Sequence, residues 1–360
     1  MSVGVCAVFC GRFPFLTGDA IIRLSKNGYG MAVQTTRHVR CGICPKRCLI
    51  APGFSGECRV RINVDGVLRA STYGRPCAVH VDPIEKKPLF HFCPGAQILS
   101  LGSAGCNLHC KNCQNADLSQ CNPEDMASYN LPPGEVPALA KKHGCGHVAY
   151  TYNEPLVAYE YTRDCCIAAR EAGLRNVLVT NGTINEAPLT ALLPYVDAAN
   201  VDLKGFSEAF YRDVCDGMLE PVLRTLLLMR RAGVHVEVTN LLIPTLNDTD
   251  ELLDSLCAWM REQAGDEVPL HFSRFFPCFR MTHLPHTPIE SLLHARERAR
   301  AAGLKHVYVG NAEVPDGDDT LCAACGERLV VRQRYVVREN RITAAGACPA
   351  CGRWVYGVWA

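Results

Sequence analysis

The stretch Gly105-Cys106-Asn107-Leu108-His109-Cys110-Lys111-Asn112-Cys113-Gln114-Asn115 decides how the rest of the chain is read. Its three cysteines, with three and then two residues between them, can fold around one corner of a cubane cluster. Three thiolates on a [4Fe–4S] cluster leave the fourth iron without a protein ligand. An open metal position is where chemistry takes place. The spacing alone also suits a cysteine-rich loop or part of a zinc site, so the context around it must decide.

That context is periodic. From residue 96 to 312, short apolar runs alternate with longer helical patterns, which predicts βα units and a parallel sheet. The expected strands are Gln97–Leu101, His147–Thr151, Asn176–Thr180, Ala198–Asp202, His235–Asn240, Leu270–Arg274 and His306–Val309. The clearest amphipathic helices are Leu156–Ala172, Pro221–Ala232, Glu251–Gln263 and Ile289–Ala302. In such a barrel, functional residues sit where strands end. The cysteine loop follows the first strand, Thr151-Tyr152-Asn153-Glu154-Pro155 the second, Thr180-Asn181-Gly182 the third and Asp202-Leu203-Lys204-Gly205 the fourth. Four polar motifs at strand ends on one face point to a catalytic barrel. Singly each has a plainer reading: Glu154 as a helix N-terminal carboxylate, or Asp202 and Lys204 as a structural ion pair.

Three further blocks flank the barrel. Residues 1–36 carry no motif, and Cys6 and Cys10 read as small hydrophobes. Residues 37–95 hold a knuckle, Cys41-x2-Cys44-x3-Cys48-x9-Cys58, then two β-like runs, Arg59–Val64 and Val67–Thr72, joined by the turn Asp65-Gly66. Four thiolates at that spacing suit zinc or a second Fe–S cluster. Residues 313–360 are expected to form a separate zinc ribbon on Cys322, Cys325, Cys348 and Cys351. Glu85-Lys86-Lys87 and His91 read either as a solvated turn before Pro88 or as residues near the barrel mouth, with the solvated turn favoured on charge alone. Cys165, Cys166, Cys215 and Cys257 fall on helical patterns as core; Cys278, near the sixth strand end, is a less favoured hydrogen-atom donor.

Composition excludes little. The 360 residues are 48% hydrophobic and 20% charged with net charge +1, ordinary for a globular protein and without the field that draws nucleic acid or anionic lipid. The 22 cysteines in tight pairs read as metal ligation, which needs thiolates and a reducing compartment. No apolar run spans a membrane, and Met1–Leu16 lacks a cationic n-region and a cleavage site. A cytoplasmic protein is expected.

Beyond these readings, residues from about 37 to the end resemble the radical S-adenosylmethionine (SAM) enzyme of the AmmeMemoRadiSam system, a relative of the pyruvate formate-lyase activating enzymes. The resemblance is carried by Cys41–Arg61, Asp82–Phe92, Gly105–Asn115, Thr151–Pro155, His306–Asn311 and the C-terminal cysteines. It implies an α/β fold, a partial (β/α)6-type radical SAM barrel with a small N-terminal cysteine-rich β module and a C-terminal zinc ribbon. It implies Cys106, Cys110 and Cys113 as ligands of a [4Fe–4S] cluster, with SAM on the open iron. Tyr152, Asn153 and Glu154 stand where the superfamily binds the methionine amino group. Asn181, Asp202 and Lys204 would line the ribose and carboxylate side. The residue before the third cysteine is commonly aromatic in the superfamily; here it is Asn112, so Tyr152 becomes the candidate ring for adenine.

The expected activity is reductive cleavage of SAM to a 5′-deoxyadenosyl radical that abstracts hydrogen from a substrate the sequence does not identify. Implied partners are Memo-like and Amme-type domain proteins and an electron donor such as flavodoxin or ferredoxin. Activation of a glycyl-radical enzyme is the alternative chemistry, and a metal-binding interaction protein the alternative class.

Overall fold

Seven short runs rich in Val, Leu, Ala and Asn form a parallel sheet in a computed structural model of the chain. The structure describes residues 37–359 and, as backbone, the paired strands Ala20–Ile22 and Val33–Thr35. The readings of Cys6, Cys10 and Met1–Leu16 lie outside the described residues. An edge strand, β1 (Ala78–Pro83), runs antiparallel to β2 (Gln97–Gly102). From β2 every neighbour is parallel: β3 (His147–Tyr150), β4 (Arg175–Thr180), β5 (Ala198–Asp202), β6 (His235–Leu242), β7 (Leu270–Arg274) and β8 (Val307–Gly310) follow in sequence order. The crossovers carry the helices Val136–Lys142 (α1), Tyr159–Glu171 (α2), Glu186–Leu192 (α3), Glu220–Arg231 (α4), Asp250–Trp259 (α5) and Ile289–Ala301 (α6). Six βα units and a closing strand make the parallel sheet that the alternation predicts and the partial (β/α)6 barrel that the resemblance implies. β1 was not foreseen as part of it.

Strand alternation divides the core in two. Leu99, Leu101, Val148, Leu178, Val201, Val236, Val238 and Phe272 face outward and bury the apolar stripes of the helices. On α2 that stripe is Tyr161, Thr162, Cys165, Cys166 and Ala169, the spacing of one helical face. Inward, Ile98, Ala149, Val177 and Ala198 seal the lower lumen against Ile84, Leu89 and Phe92.

The knuckle's hairpin forms between Arg61–Val64 and Val67–Ala70, with Asp65 and Gly66 both at positive φ, as a tight two-residue turn requires. The ribbon strands Thr320–Leu321 (β9), Arg328–Gln333 (β10) and Val336–Asn340 (β11) make an antiparallel sheet. They do not stand apart from the barrel. Arg332 donates to the Phe90 carbonyl at 2.6 Å, Cys93 N–H donates to Val358 and Val358 N–H to His91, each at 2.7 Å. Residues 84–93 are thus clamped between barrel and ribbon. Glu85 and His91 are fully buried and Lys87 is 1% exposed, so the solvated-turn reading fails for these three; only Lys86 remains half-exposed.

One carboxylate holds this clamp. Glu237, fully buried on β6, accepts from Phe90 N–H at 3.0 Å, His91 N–H at 2.7 Å, His235 Nε2 at 3.0 Å and His271 Nε2 at 2.7 Å. Against the opposing effect of burial, the His235 and His271 side chains hold its carboxyl group well below the usual range. Glu237→Leu orphans four buried donors at once. The expected loss is at least about 3 kcal/mol of unfolding free energy, read from urea denaturation; a loss under about 1 kcal/mol would mean the clamp is held elsewhere.

Candidate active site

The cysteine loop leaves β2 at Gly102 and has almost no regular structure, so its backbone must find partners elsewhere. Asparagines supply many of them. Asn153 donates to the Gly105 carbonyl at 2.7 Å and accepts from Ser103 N–H at 3.3 Å. Asn107 donates to the Thr183 carbonyl at 2.7 Å and accepts from Asn181 at 2.9 Å. Asn115 donates to the Tyr152 carbonyl at 2.7 Å. On the far side, His109 and Lys111 N–H groups donate to the carbonyls of Cys215 and Val214, each at 2.9 Å. Gly105 has φ +82°, and a Cβ there would lie 2.4 Å from the Cys58 carbonyl oxygen, so only glycine lets the loop approach the knuckle. A charged latch reinforces that approach: Lys46 Nζ lies 2.6 Å from both Glu57 and Asp216, and His109 Nδ1 lies 2.7 Å from Asp216. Lys46 pairs with both carboxylates of this group.

Cys106, Cys110 and Cys113 all line one cavity of about 980 Å³ that descends into the lumen. Among the described residues, only two groups of three or more His, Cys, Asp or Glu bring their donor atoms within 4.8 Å of one another, and these three cysteines are not one of them. Thiolates on different irons of a cubane stand further apart than ligands of a single ion, so a cluster does not require these three to meet at one point. Burial pushes the Cys106 thiol far up, and the neighbouring Glu154 adds to the shift. Such a thiol becomes a thiolate only against a cationic group such as iron. Cys113 Sγ lies 3.1 Å from Ser119 Oγ, a polar contact of the kind that tunes a bound cluster.

Glu154 is buried and lines the same cavity. It accepts from Leu156 N–H at 3.0 Å, Asn181 N–H at 2.7 Å and the Thr180 hydroxyl at 2.9 Å. No cation pairs with it among the described residues, and burial raises its carboxyl pKa to about 7. A buried carboxylate in that state is a receptor for an ammonium group. Asp202 and Lys204 also line the cavity and pair with each other at 3.0 Å.

Other expectations are redirected. The Asn181 and Asn153 side chains grip the cysteine loop, which leaves them as positioning groups. The Tyr152 ring, at φ +74°, lies along β1 and β2, with its hydroxyl on Asp82 and its face 4.9 Å from Lys87 Nζ. The ring thus forms part of the wall of the cavity that the three cysteines line. Asn112 lines the cavity with its buried Oδ1 unpartnered among the described residues. Cys165, Cys166, Cys215 and Cys257 are buried core, and Cys278 donates to the Asn112 carbonyl at 3.3 Å.

The accessory cysteines differ. Cys322, Cys325, Cys348 and Cys351 form one of the two tight groups, with sulfur pairs at 3.6 and 3.7 Å, compatible with a four-thiolate zinc site. Cys41, Cys44, Cys48 and Cys58 share a cavity of only about 20 Å³, room for roughly one water-sized occupant. Burial pushes Cys44 up to about 11. Residues to which the motifs gave no role are Glu237 and His271, which lie inside runs otherwise read as strand, and Asp82, on the edge strand that was not foreseen. The available signal was a charged residue in the middle of an apolar strand, as in Val236-Glu237-Val238.

The Radical SAM superfamily model matches residues 101–257, the span from β2 through most of α5. An uncharacterized protein, MJ0808 of Methanocaldococcus jannaschii, is 44% identical over 317 residues, covering 87% of this chain and 94% of its own length. The chain belongs to the radical SAM superfamily. Solved structures similar to this radical SAM protein include a domain of a pyruvate-formate lyase-activating enzyme from Bacteroides vulgatus, at 14% identity and TM-score 0.41 over 46% of this chain and 98% of that one. Streptococcus suis SuiB bound to S-adenosylmethionine is similar at 13% identity and TM-score 0.48, over 64% of this chain and 53% of that one. A radical SAM methyltransferase from Sphaerobacter thermophilus is similar at 18% identity and TM-score 0.45, over 66% and 71%.

The asparagine stitching makes a checkable claim. Asn153→Ala removes two loop bonds of about 1 kcal/mol each, so iron release to a chelator from the reconstituted radical SAM protein should quicken by up to about thirtyfold. An unchanged release rate would show that the loop holds itself.

Proposed function

We propose that this protein cleaves SAM reductively and abstracts hydrogen from a substrate bound in the barrel lumen. The observation that carries the reading is one cavity lined by three separated cysteine sulfurs and by a buried carboxylate that lacks a cation. Cys106, Cys110 and Cys113 would hold a [4Fe–4S] cluster, which with SAM supplies one electron and the 5′-deoxyadenosyl radical. Glu154 receives the methionine ammonium. The Asp202–Lys204 pair offers a cation to the methionine carboxylate and an acceptor to the ribose. Asn112 Oδ1 is available to accept from the adenine amine.

The finer assignment follows the sequence resemblance: membership of the AmmeMemoRadiSam system, with Memo-like and Amme-type partners and a flavodoxin or ferredoxin as electron donor. We assign zinc to the ribbon cysteines Cys322, Cys325, Cys348 and Cys351, because their tight grouping suits a single ion. Cys41, Cys44, Cys48 and Cys58 would hold zinc or a second Fe–S cluster; their cavity is small, but their sulfurs are not gathered as tightly as those of the ribbon. Free cysteines throughout the described residues support a reducing, cytoplasmic setting. No helix among the described residues is long and apolar enough to cross a membrane.

The test uses anaerobically reconstituted protein with dithionite and SAM. About four irons, up to two zincs and 5′-deoxyadenosine formation are expected, with the nucleoside abolished in Cys110→Ala. A fully loaded cluster that yields no nucleoside would overturn the reading and favour a non-catalytic interaction protein.

Glu154→Gln removes a charge-assisted bond worth about 1.5–3 kcal/mol, so the Kd for SAM should rise at least about tenfold. The sign of the pH effect follows from the raised carboxyl pKa. Below about 7 the group carries a proton that must leave before an ammonium can bind, so wild-type affinity strengthens as pH rises from 6 to 8. Titration calorimetry should find that rise flattened in Glu154→Gln.

A further inference from the structure

Deep in the lumen the wall carries a positive charge that the handling of SAM leaves unused. Asp82 on β1 pairs with Ile98, four residues before Gly102, which sets it about 13 Å along β2 from the start of the cysteine loop. Two ammonium groups meet on this one carboxylate. Lys86 Nζ donates to Asp82 Oδ1 at 2.9 Å and Lys87 Nζ donates to Oδ2 at 2.6 Å, while the Tyr152 hydroxyl donates to the same Oδ2. Tyr152 stays neutral, because burial and Asp82 both push its phenol up. The bases therefore exceed the acid by one charge.

Nearby acids do not cancel the excess. Glu85 turns its Oε1 to the Gly95 N–H at 2.8 Å and lies 3.7 Å from Arg332. Lys86 is half-exposed and solvent meets its charge, whereas Lys87 is 1% exposed. A buried ammonium is costly unless its donors are used. Lys87 has three N–H donors; one is given to Asp82, and the Tyr152 ring lies 4.9 Å from the nitrogen. Burial draws Lys87 down to about 8, with Asp82 opposing. Lys86, Lys87, Pro88, Phe90 and Tyr152 all line the cavity that also holds the three cysteines. A structural Lys87–Asp82 pair would need neither the second lysine nor the open volume beside it.

We propose that Lys87, aimed by Asp82 and backed by the Tyr152 ring, is an anion-binding post deep in the substrate chamber, and that the substrate is a small molecule whose carboxylate or phosphate group descends to it. This deepens the reading of the lumen as the chamber of a SAM-cleaving enzyme and rests on it. Lys87 keeps its ammonium on Asp82 and against the Tyr152 ring, whereas Glu154 binds Thr180 and Asn181 and Lys204 pairs with Asp202, so the post and the groups assigned to the methionine have separate partners. A glycine-bearing protein loop, the substrate of an activase, has no backbone anion to place there.

The experiment is calorimetric titration of the full-length, anaerobically reconstituted enzyme, saturated with SAM, with inorganic phosphate and separately with acetate. One-to-one saturable binding of at least one probe is expected, and the tighter probe identifies the substrate's anionic group. Lys87→Met should weaken that binding at least tenfold, and Lys87→Arg should stay within a few-fold of wild type. Iron content and the melting temperature report whether each variant folds. Should Lys87→Met fail to fold, Lys87→Gln, which keeps a hydrogen bond to Asp82, should show the same loss. The proposal is overturned if neither probe saturates, if the neutral variants bind as wild type, or if binding occurs only without SAM, since the anion would then be occupying the methionine carboxylate's place. 5′-Deoxyadenosine formation, assayed on the same wild-type sample, separates the two readings. Nucleoside without anion binding sinks only the post, and anion binding without nucleoside sinks the enzymatic reading.

Discussion

The constraint on which the rest depends is that three cysteines must be presented on a segment with almost no helix or strand to hold it. An irregular loop inside a protein leaves backbone groups that cannot be left unpaired. Here side-chain amides resolve the conflict, because one amide offers both donor and acceptor and can tie two segments together. Asn153 and Asn107 each do so, joining the loop to the ends of β3 and β4. The same strand ends carry Glu154 and Asn181, so the loop that bears the sulfurs and the carboxylate facing them are fixed by one set of bonds.

The opposite end of the barrel is organised by a buried charge. Glu237 gathers two backbone N–H groups of the 84–93 segment and two imidazoles of the barrel wall. That segment in turn accepts the ribbon through Arg332 and Val358. The ribbon cysteines therefore stabilise more than their own sheet, since the tail that follows them closes against His91 and Phe92. A metal held there would act on the barrel floor through packing.

Much of this was legible in the sequence, for physical reasons. Parallel strands buried on both faces read as short apolar runs, and helices read as 3.6-residue stripes, so β2 to β8 and the long helices emerged near their true bounds. Polar residues at strand ends were visible because the runs stop abruptly at Thr151, Thr180 and Asp202. What stayed hidden depends on long-range pairing. β1 reads as an ordinary segment after the hairpin, and only its register with β2 turns Asp82 inward. Glu85-Lys86-Lys87 has the composition of a solvated turn, and its burial follows from the ribbon and barrel closing over it. The Tyr152 ring could not be oriented from sequence either. Its side chain lies across Gly102, where a Cβ would approach the ring to 2.8 Å, and a clash of that kind is a property of two strands together.

The two ends of the cavity differ in the sign of the charge they leave unmatched. Near the cysteine loop, Glu154 is an anion without a cation, and burial drives it toward protonation. Toward the floor, Lys86 and Lys87 bring two cations to one acid. A ligand group of opposite charge would relieve part of the cost of burying Glu154 and would use the donors Lys87 leaves free. The upper wall thus favours a cationic group beside the sulfurs, and the lower wall an anionic one away from them. A molecule placed between would be oriented by this polarity before any shape complementarity acts. Its anionic end would be held down at Lys87, leaving the part nearer the cysteine loop to face the site where the radical is released. In the proposed function, positioning of this kind would direct a radical released at a fixed place to a single carbon–hydrogen bond.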